Sequence, residues 1–154
     1  MDYLQKTLFL EMAKGYCYFV EKELTTWEDC DLEELLKRLS VLYLGALQFP
    51  NVNSESETIY RAKIKVPNIN FGEKDSYQKV YDPYTNDSLV EGSLSDDILD
   101  IYKDVKEGLV LYEKGEELEA LWQLKFSFHS HWMTHALDAM KTIHSLLREH
   151  YSAL

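Results

Sequence analysis

The chain is short of the residues that build disulfide scaffolds, irregular tracts and basic surfaces. It has only two cysteines, Cys17 and Cys30, and they are not spaced as a CxxC pair. Neither a disulfide framework nor a paired-thiol motif is therefore written into it. Cys17 falls in a periodic apolar segment and reads as a buried thiol. Cys30 lies among Glu28, Asp29 and Asp31, whose charges oppose formation of a thiolate. Three prolines and six glycines exclude a Pro/Gly-rich low-complexity chain. Positive charge is scarce, with 16 Lys plus Arg against 27 Asp plus Glu and a net charge of −11. That balance argues against nucleic acid as a partner, because phosphate contacts need a basic face. It argues equally against an anionic membrane surface. No apolar run approaches the roughly 18–20 residues that cross a bilayer. Met1 to Lys14 places Asp2, Lys6 and Glu11 among its apolar positions, unlike a signal peptide. A cytoplasmic location is the expectation. No Gly-rich phosphate loop, Ser elbow or His-Glu-x-x-His pattern is present.

Apolar residues make up 45% of the 154 positions, enough for a real core in one domain spanning residues 1–154. Leu4, Leu8, Met12, Tyr16, Phe19 and Val20 recur at helical spacing and predict a first helix from Asp2 to about Leu24. Asp31 and Glu34 have the spacing of a capping box. Leu32, Leu35, Leu36, Leu39 and Leu42 follow in a second helix that ends before Pro50. Residues 50–94 hold all three prolines and read as an irregular excursion with short helical pieces. Ile59, Ala62, Lys63 and Val66 would share a helix face there, while the alternation of Ala62, Ile64 and Val66 fits a strand. Tyr81-Asp82-Pro83-Tyr84 reads as a turn. Ser93 or Ser95 caps a third helix through Ile98, Ile101, Tyr102, Val105, Leu109 and Tyr112, stopped near Gly115. A last helix runs from Glu116 to about residue 150, with a bend expected near Phe128–Ser130. The short link at Gly115 makes the last two helices antiparallel neighbours. The expected fold class is all-α, an up-and-down helical bundle.

One chemical feature stands out. All five histidines fall within the last 26 residues. His131, His135 and Asp138 lie within roughly 60° of one another on a helix at 100° per residue. Counting outward from the connection near residue 116 brings Asp100 level with about residue 132 and Asp97 level with His135, with Asp104 one turn further along the neighbouring helix. Carboxylates and imidazoles facing across a helix pair are the means by which helical bundles hold metals, and His-x-x-x-His lets two rings meet one ion. His131, His135 and Asp100 are the candidate ligands, for a divalent metal such as zinc. The plainer alternatives are imidazoles hydrogen-bonded to Asp97 or Asp100 without metal, and a solvated polar face. His129 and His144 fall on or near the apolar arc and read as core histidines, and Trp122 and Trp132 as core aromatics. Tyr77, Tyr81 and Tyr84 in the irregular middle are candidate interface residues.

The stretch Ser93-Leu94-Ser95-Asp96-Asp97-Ile98-Leu99-Asp100-Ile101-Tyr102-Lys103-Asp104 resembles a known pattern. So do Ala120-Leu121-Trp122-Gln123-Leu124-Lys125-Phe126-Ser127-Phe128-His129-Ser130-His131-Trp132 with His135 and Asp138, and Leu42-Tyr43-Leu44-Gly45-Ala46-Leu47. Together they are similar to the bacterial domain-of-unknown-function family 5063. Members of that family usually have Gly after the His-Trp pair, where this chain has Met133. The resemblance implies a helical, cytoplasmic bacterial domain and no particular activity. It places the family pattern on the Asp100–Asp104 and His131–His135 region. The residues support two functional expectations. The first is a non-catalytic binding, adaptor or regulatory module without cofactor, whose acidity and tyrosines suit a basic protein partner. The second is a metal-dependent helical protein, a hydrolase among the options, using His131, His135 and Asp100.

Overall fold

The computed structural model describes residues 2–54 and 60–154. Helix α1 (Tyr3–Tyr18) is capped by the Asp2 side chain, which accepts from Leu4 N, and continues as a wider π turn over Phe19–Glu23. Helix α2 spans Asp29–Gln48. It starts two residues before the expected Asp31, after Glu28, and the Glu28 side chain does not cap it. Thr26 Oγ1 donates to Asp31 instead, so the Asp31 carboxylate is engaged outside any capping box. Strands β1 (Ser76–Lys79) and β2 (Val90–Ser93) pair antiparallel, Ser76 opposite Ser93 and Lys79 opposite Val90. Helix α3 (Leu94–Glu113) follows β2 directly, with Ser93 Oγ accepting from Asp96 N. Gly115 takes a left-handed backbone, φ 89°, a conformation that strains any residue with a Cβ, and reverses the chain. Helix α4 (Glu117–Ser127), a π turn (Phe128–Trp132) and helix α5 (Met133–Ser152) complete it.

The molecule is mostly helical, and the all-α expectation is corrected by the β1–β2 ribbon. Residues 60–70 form neither the short helix nor the strand read from their pattern, and Ile59 lies outside the described residues. Four-residue strands as polar as Ser-Tyr-Gln-Lys and Val-Glu-Gly-Ser carry too little alternation to reveal themselves. Tertiary contacts fix them: Asp75 accepts Leu94 N through its carbonyl and Ser95 N through its carboxylate.

Helix α1 packs on α2 and α3, α2 on α5, and α3 on α4 and α5. The core between them contains Phe9, Tyr16, Leu35, Leu39, Ile98, Val105, Phe128 and Trp132. Tyr16 is fully buried and donates its hydroxyl to Ile98 O at 2.8 Å, which satisfies its polar tip. Lys125 of α4 is buried too, and its ammonium donates to Ala46 O at 2.6 Å, closing the C-terminal end of α2. Burial lowers the pKa of that amine. The Cys17 thiol is buried and pushed up to about 12, so it is inert at neutral pH. Among the described residues no helix is long and apolar enough to cross a membrane.

Candidate metal centre between the C-terminal helices

Along α3, Asp97, Asp100, Asp104 and Glu107 recur at intervals of three, four and three residues, which sets them on one line of the helix. That line faces the π turn and α5. His131 Nδ1 lies 2.6 Å from Asp104 Oδ2, and His135 Nδ1 lies 2.7 Å from Asp97 Oδ1. A carboxylate only accepts, so each Nδ1 carries the proton and donates. The two Nε2 atoms then point at each other, 3.2 Å apart, and Asp100 Oδ2 is 3.6 Å from His135 Nε2. The ligand atoms of Asp100, His131 and His135 all fall within 4.8 Å of one another. The rings meet edge to face, with centroids 4.7 Å apart.

In neutral imidazoles with both protons on Nδ1, the facing Nε2 atoms are bare lone pairs. Lone pairs at 3.2 Å repel unless a cation lies between them. That cation is a proton or a metal ion. For tetrahedral zinc with Zn–N near 2.0–2.1 Å, two ligating nitrogens sit about 3.3 Å apart. The observed 3.2 Å is close to that separation. A hydrogen-bonded carboxylate behind each ligating imidazole is also what metal sites use to fix the tautomer and ring plane.

The supports of this pair are themselves held. Asp97 is only 3% exposed, and its second oxygen accepts the Tyr77 hydroxyl from β1. Tyr77 reaches it by lying across Gly92 of β2, where a Cβ would stand 2.5 Å from Tyr77 Cζ. The hydrogen bond to Asp97 raises the His135 pKa. Burial opposes that effect, the charges of Asp97 and Asp100 reinforce it, and Lys79 opposes it. Burial, then the bond to Asp97, raises the Tyr77 phenol and keeps it a donor at neutral pH. The wide turn at Phe128–Trp132 holds His131, and π turns of this kind recur at functional sites. Beside His131 and Asp104 opens a cleft of about 310 Å³ that Arg61, Glu107, Gln123 and Ser130 also line. Burial raises the Glu107 carboxyl, with Arg61 opposing and Asp104 adding to the effect.

Of the residues singled out in the sequence, Asp97, Asp100, Asp104, His131 and His135 come together here. Asp138 does not join them: it pairs with Lys79 Nζ at 2.7 Å and ties β1 to α5. Tyr77 belongs to this polar network, whereas Tyr81 and Tyr84 are 78% and 97% exposed at the hairpin tip. His129 and His144 are exposed, which corrects their reading as core histidines. The buried stripe of α5 is the narrow series Ala136, Ala139, Ile143 and Leu147, and the π turn shifts the phase counted from a regular helix. Trp122 is half-buried and stacks on Phe126, while Trp132 is fully buried. Tyr77 in the network and Glu107 at the cleft are placements that the sequence pattern alone did not single out. The regular recurrence of acids on α3 was the available signal for Glu107.

Fold and site thus define a mostly helical domain with a His/Asp cluster buttressed by a β-ribbon. The family model described as "Domain of unknown function (DUF5063)" matches residues 5–149, and the chain belongs to that family. Its fold is similar to the crystal structure of protein BF1032 from Bacteroides fragilis, with a TM-score of 0.71 and 19% identity, over 95% of this chain and 96% of that one. No curated protein matches the sequence.

Proposed function

We propose that the protein is a metal-binding helical domain in which His131 Nε2, His135 Nε2 and an Asp100 oxygen ligate a divalent cation such as zinc. The observation that carries this reading is the pair of facing Nε2 atoms, 3.2 Å apart, behind which both Nδ1 atoms are already committed to carboxylates. Asp97 and Asp104 orient the ligands, and Tyr77 holds Asp97. Three protein ligands leave a position for water or a substrate oxygen, the arrangement of catalytic rather than purely structural zinc. The cleft beside His131 gives that position an approach, and hydrolysis is the reaction class it suits. A bacterial, cytoplasmic setting is part of the reading, in keeping with two unpaired thiols and the family resemblance.

A binding or adaptor role is the second reading, favoured by Val80, Tyr81, Tyr84 and Leu89, all exposed near the ribbon. The −11 charge would direct such a surface to a basic protein. Calorimetric titration of the untagged, chelator-stripped protein with zinc at pH 7.5 separates the two. The metal reading requires one site per chain, lost in His131→Gln and in His135→Gln. Absent binding, or binding unchanged in both variants, refutes it.

A further inference from the structure

A second concavity lies on another face of α3. Tyr102, Lys106 and Val110, one helical turn apart, form one wall. Lys22, in the π turn that follows α1, and Lys63 and Lys65, in the irregular segment after residue 60, form the rim. The groove has a volume of about 420 Å³, within the range of small-molecule sites.

Its charge is opposite to that of the chain. Against a net −11, four lysines line this groove with a single carboxylate, Glu21. That carboxylate is already engaged: Lys106 Nζ lies 2.9 Å from Glu21, and the Tyr102 hydroxyl donates to it at 2.6 Å. Glu113 acts on Lys106 from further away. Lys22, Lys63 and Lys65 have no ion-pair partner among the described residues. Lys22 and Glu21 act on each other electrostatically, so Lys63 and Lys65 are the least compensated charges, and the three exposed ammoniums together focus a positive potential on the groove. Lysines are compact point charges suited to phosphate oxygens. Ile64, Pro67 and Val110 add an apolar wall. The acidic exterior repels extended polyanions such as nucleic acid or an anionic membrane, so only a small anion reaches the groove without meeting that exterior.

We infer that this groove binds a small phosphate ester, its phosphate held by Lys22, Lys63 and Lys65 and its apolar body laid against Ile64, Pro67 and Val110. The inference is independent of the metal centre. Its test uses phenyl phosphate as the probe, with EDTA present to keep metal out, followed by amide chemical shifts at low ionic strength. Saturable one-site shifts at Ile64 and Val110 are expected, with phenol giving none. Lys63→Glu/Lys65→Glu should weaken binding by about tenfold or more, because two attractive charges become repulsive. Lys37→Glu, on the exposed side of α2, should leave it unchanged. Lys22→Gln gives a second, milder variant and should weaken binding several-fold. Shifts that do not saturate, weakening by Lys37→Glu equal to that of the double variant, or no effect of either groove variant would overturn the inference.

Discussion

Replacing Asp97 with Ala tests whether the site is supported as described. Asp97 is almost fully buried and accepts from both His135 Nδ1, at 2.7 Å, and the Tyr77 hydroxyl. Hydrogen bonds to a charged group contribute about 1.5–3 kcal/mol each, and the two fall on the two oxygens of one carboxylate, so they do not simply add. Tyr77 and His135 are half-buried, and water partly replaces their lost partner. The expected destabilisation is therefore about 3 kcal/mol, a large part of the roughly 5–15 kcal/mol available to a domain. Tyr77→Phe removes one of the two bonds from the other side. In that background Asp97→Ala should cost about 1–2 kcal/mol less than in the wild type, the coupling expected of residues in direct contact. Urea unfolding followed by far-UV circular dichroism, at pH 7 with EDTA, measures all four corners of the cycle, and constant slopes verify two-state behaviour. A loss below about 1 kcal/mol for Asp97→Ala, or effects additive within about 0.5 kcal/mol, would refute the network.

Three further outcomes follow from the geometry. Gly92→Ala, whose Cβ would stand 2.5 Å from Tyr77 Cζ, should displace the Tyr77 ring from Asp97 and destabilise by about as much as Tyr77→Phe, with little further loss in the double variant, by the same urea assay. Lys125→Ala should lower stability by about 1–3 kcal/mol by leaving Ala46 O buried without its donor, whereas a loss under about 0.5 kcal/mol would show that the ammonium does not close α2. At Asp75, burial works to raise the carboxyl, but hydrogen bonds from Ser95 and Ser93 outweigh it and hold the pKa below the usual carboxylate value. Its contribution to stability is thus present above the unfolded value and lost as pH falls through the folded one, so Asp75→Asn should flatten the acid limb of the stability profile below about pH 4.

The four helical stretches were legible because their apolar positions repeat over many turns. Leu32, Leu35, Leu39 and Leu42 of α2 are all buried, and so are Ile98, Ile101, Tyr102 and Val105 of α3. The depth match of Asp97 and Asp100 with His131 and His135 was legible because it needs only the Gly115 turn and the helical rise. Which carboxylate meets which ring was not. His131 meets Asp104 rather than Asp97 or Asp100, and that choice depends on the local phase set by the π turn at Phe128–Trp132. The ribbon was hidden for a different reason. Its two short strands are separated by ten residues and held by Asp75, Tyr77 and Lys79, whose partners lie on α3 and α5. Tyr77 therefore looked like a surface aromatic, and only the tertiary fold reveals it as the support of Asp97.

The most direct test of the proposed metal site is the ring-nitrogen spectrum of the five histidines during a zinc titration at pH 7.5. Nε2 of His131 and His135 should shift together to saturation at one equivalent, while both Nδ1 stay protonated toward Asp104 and Asp97. Acidification should release the ion, because ligating imidazoles must be neutral. Unmoved His131 and His135 resonances, or coordination through their Nδ1 atoms, would contradict the proposed site.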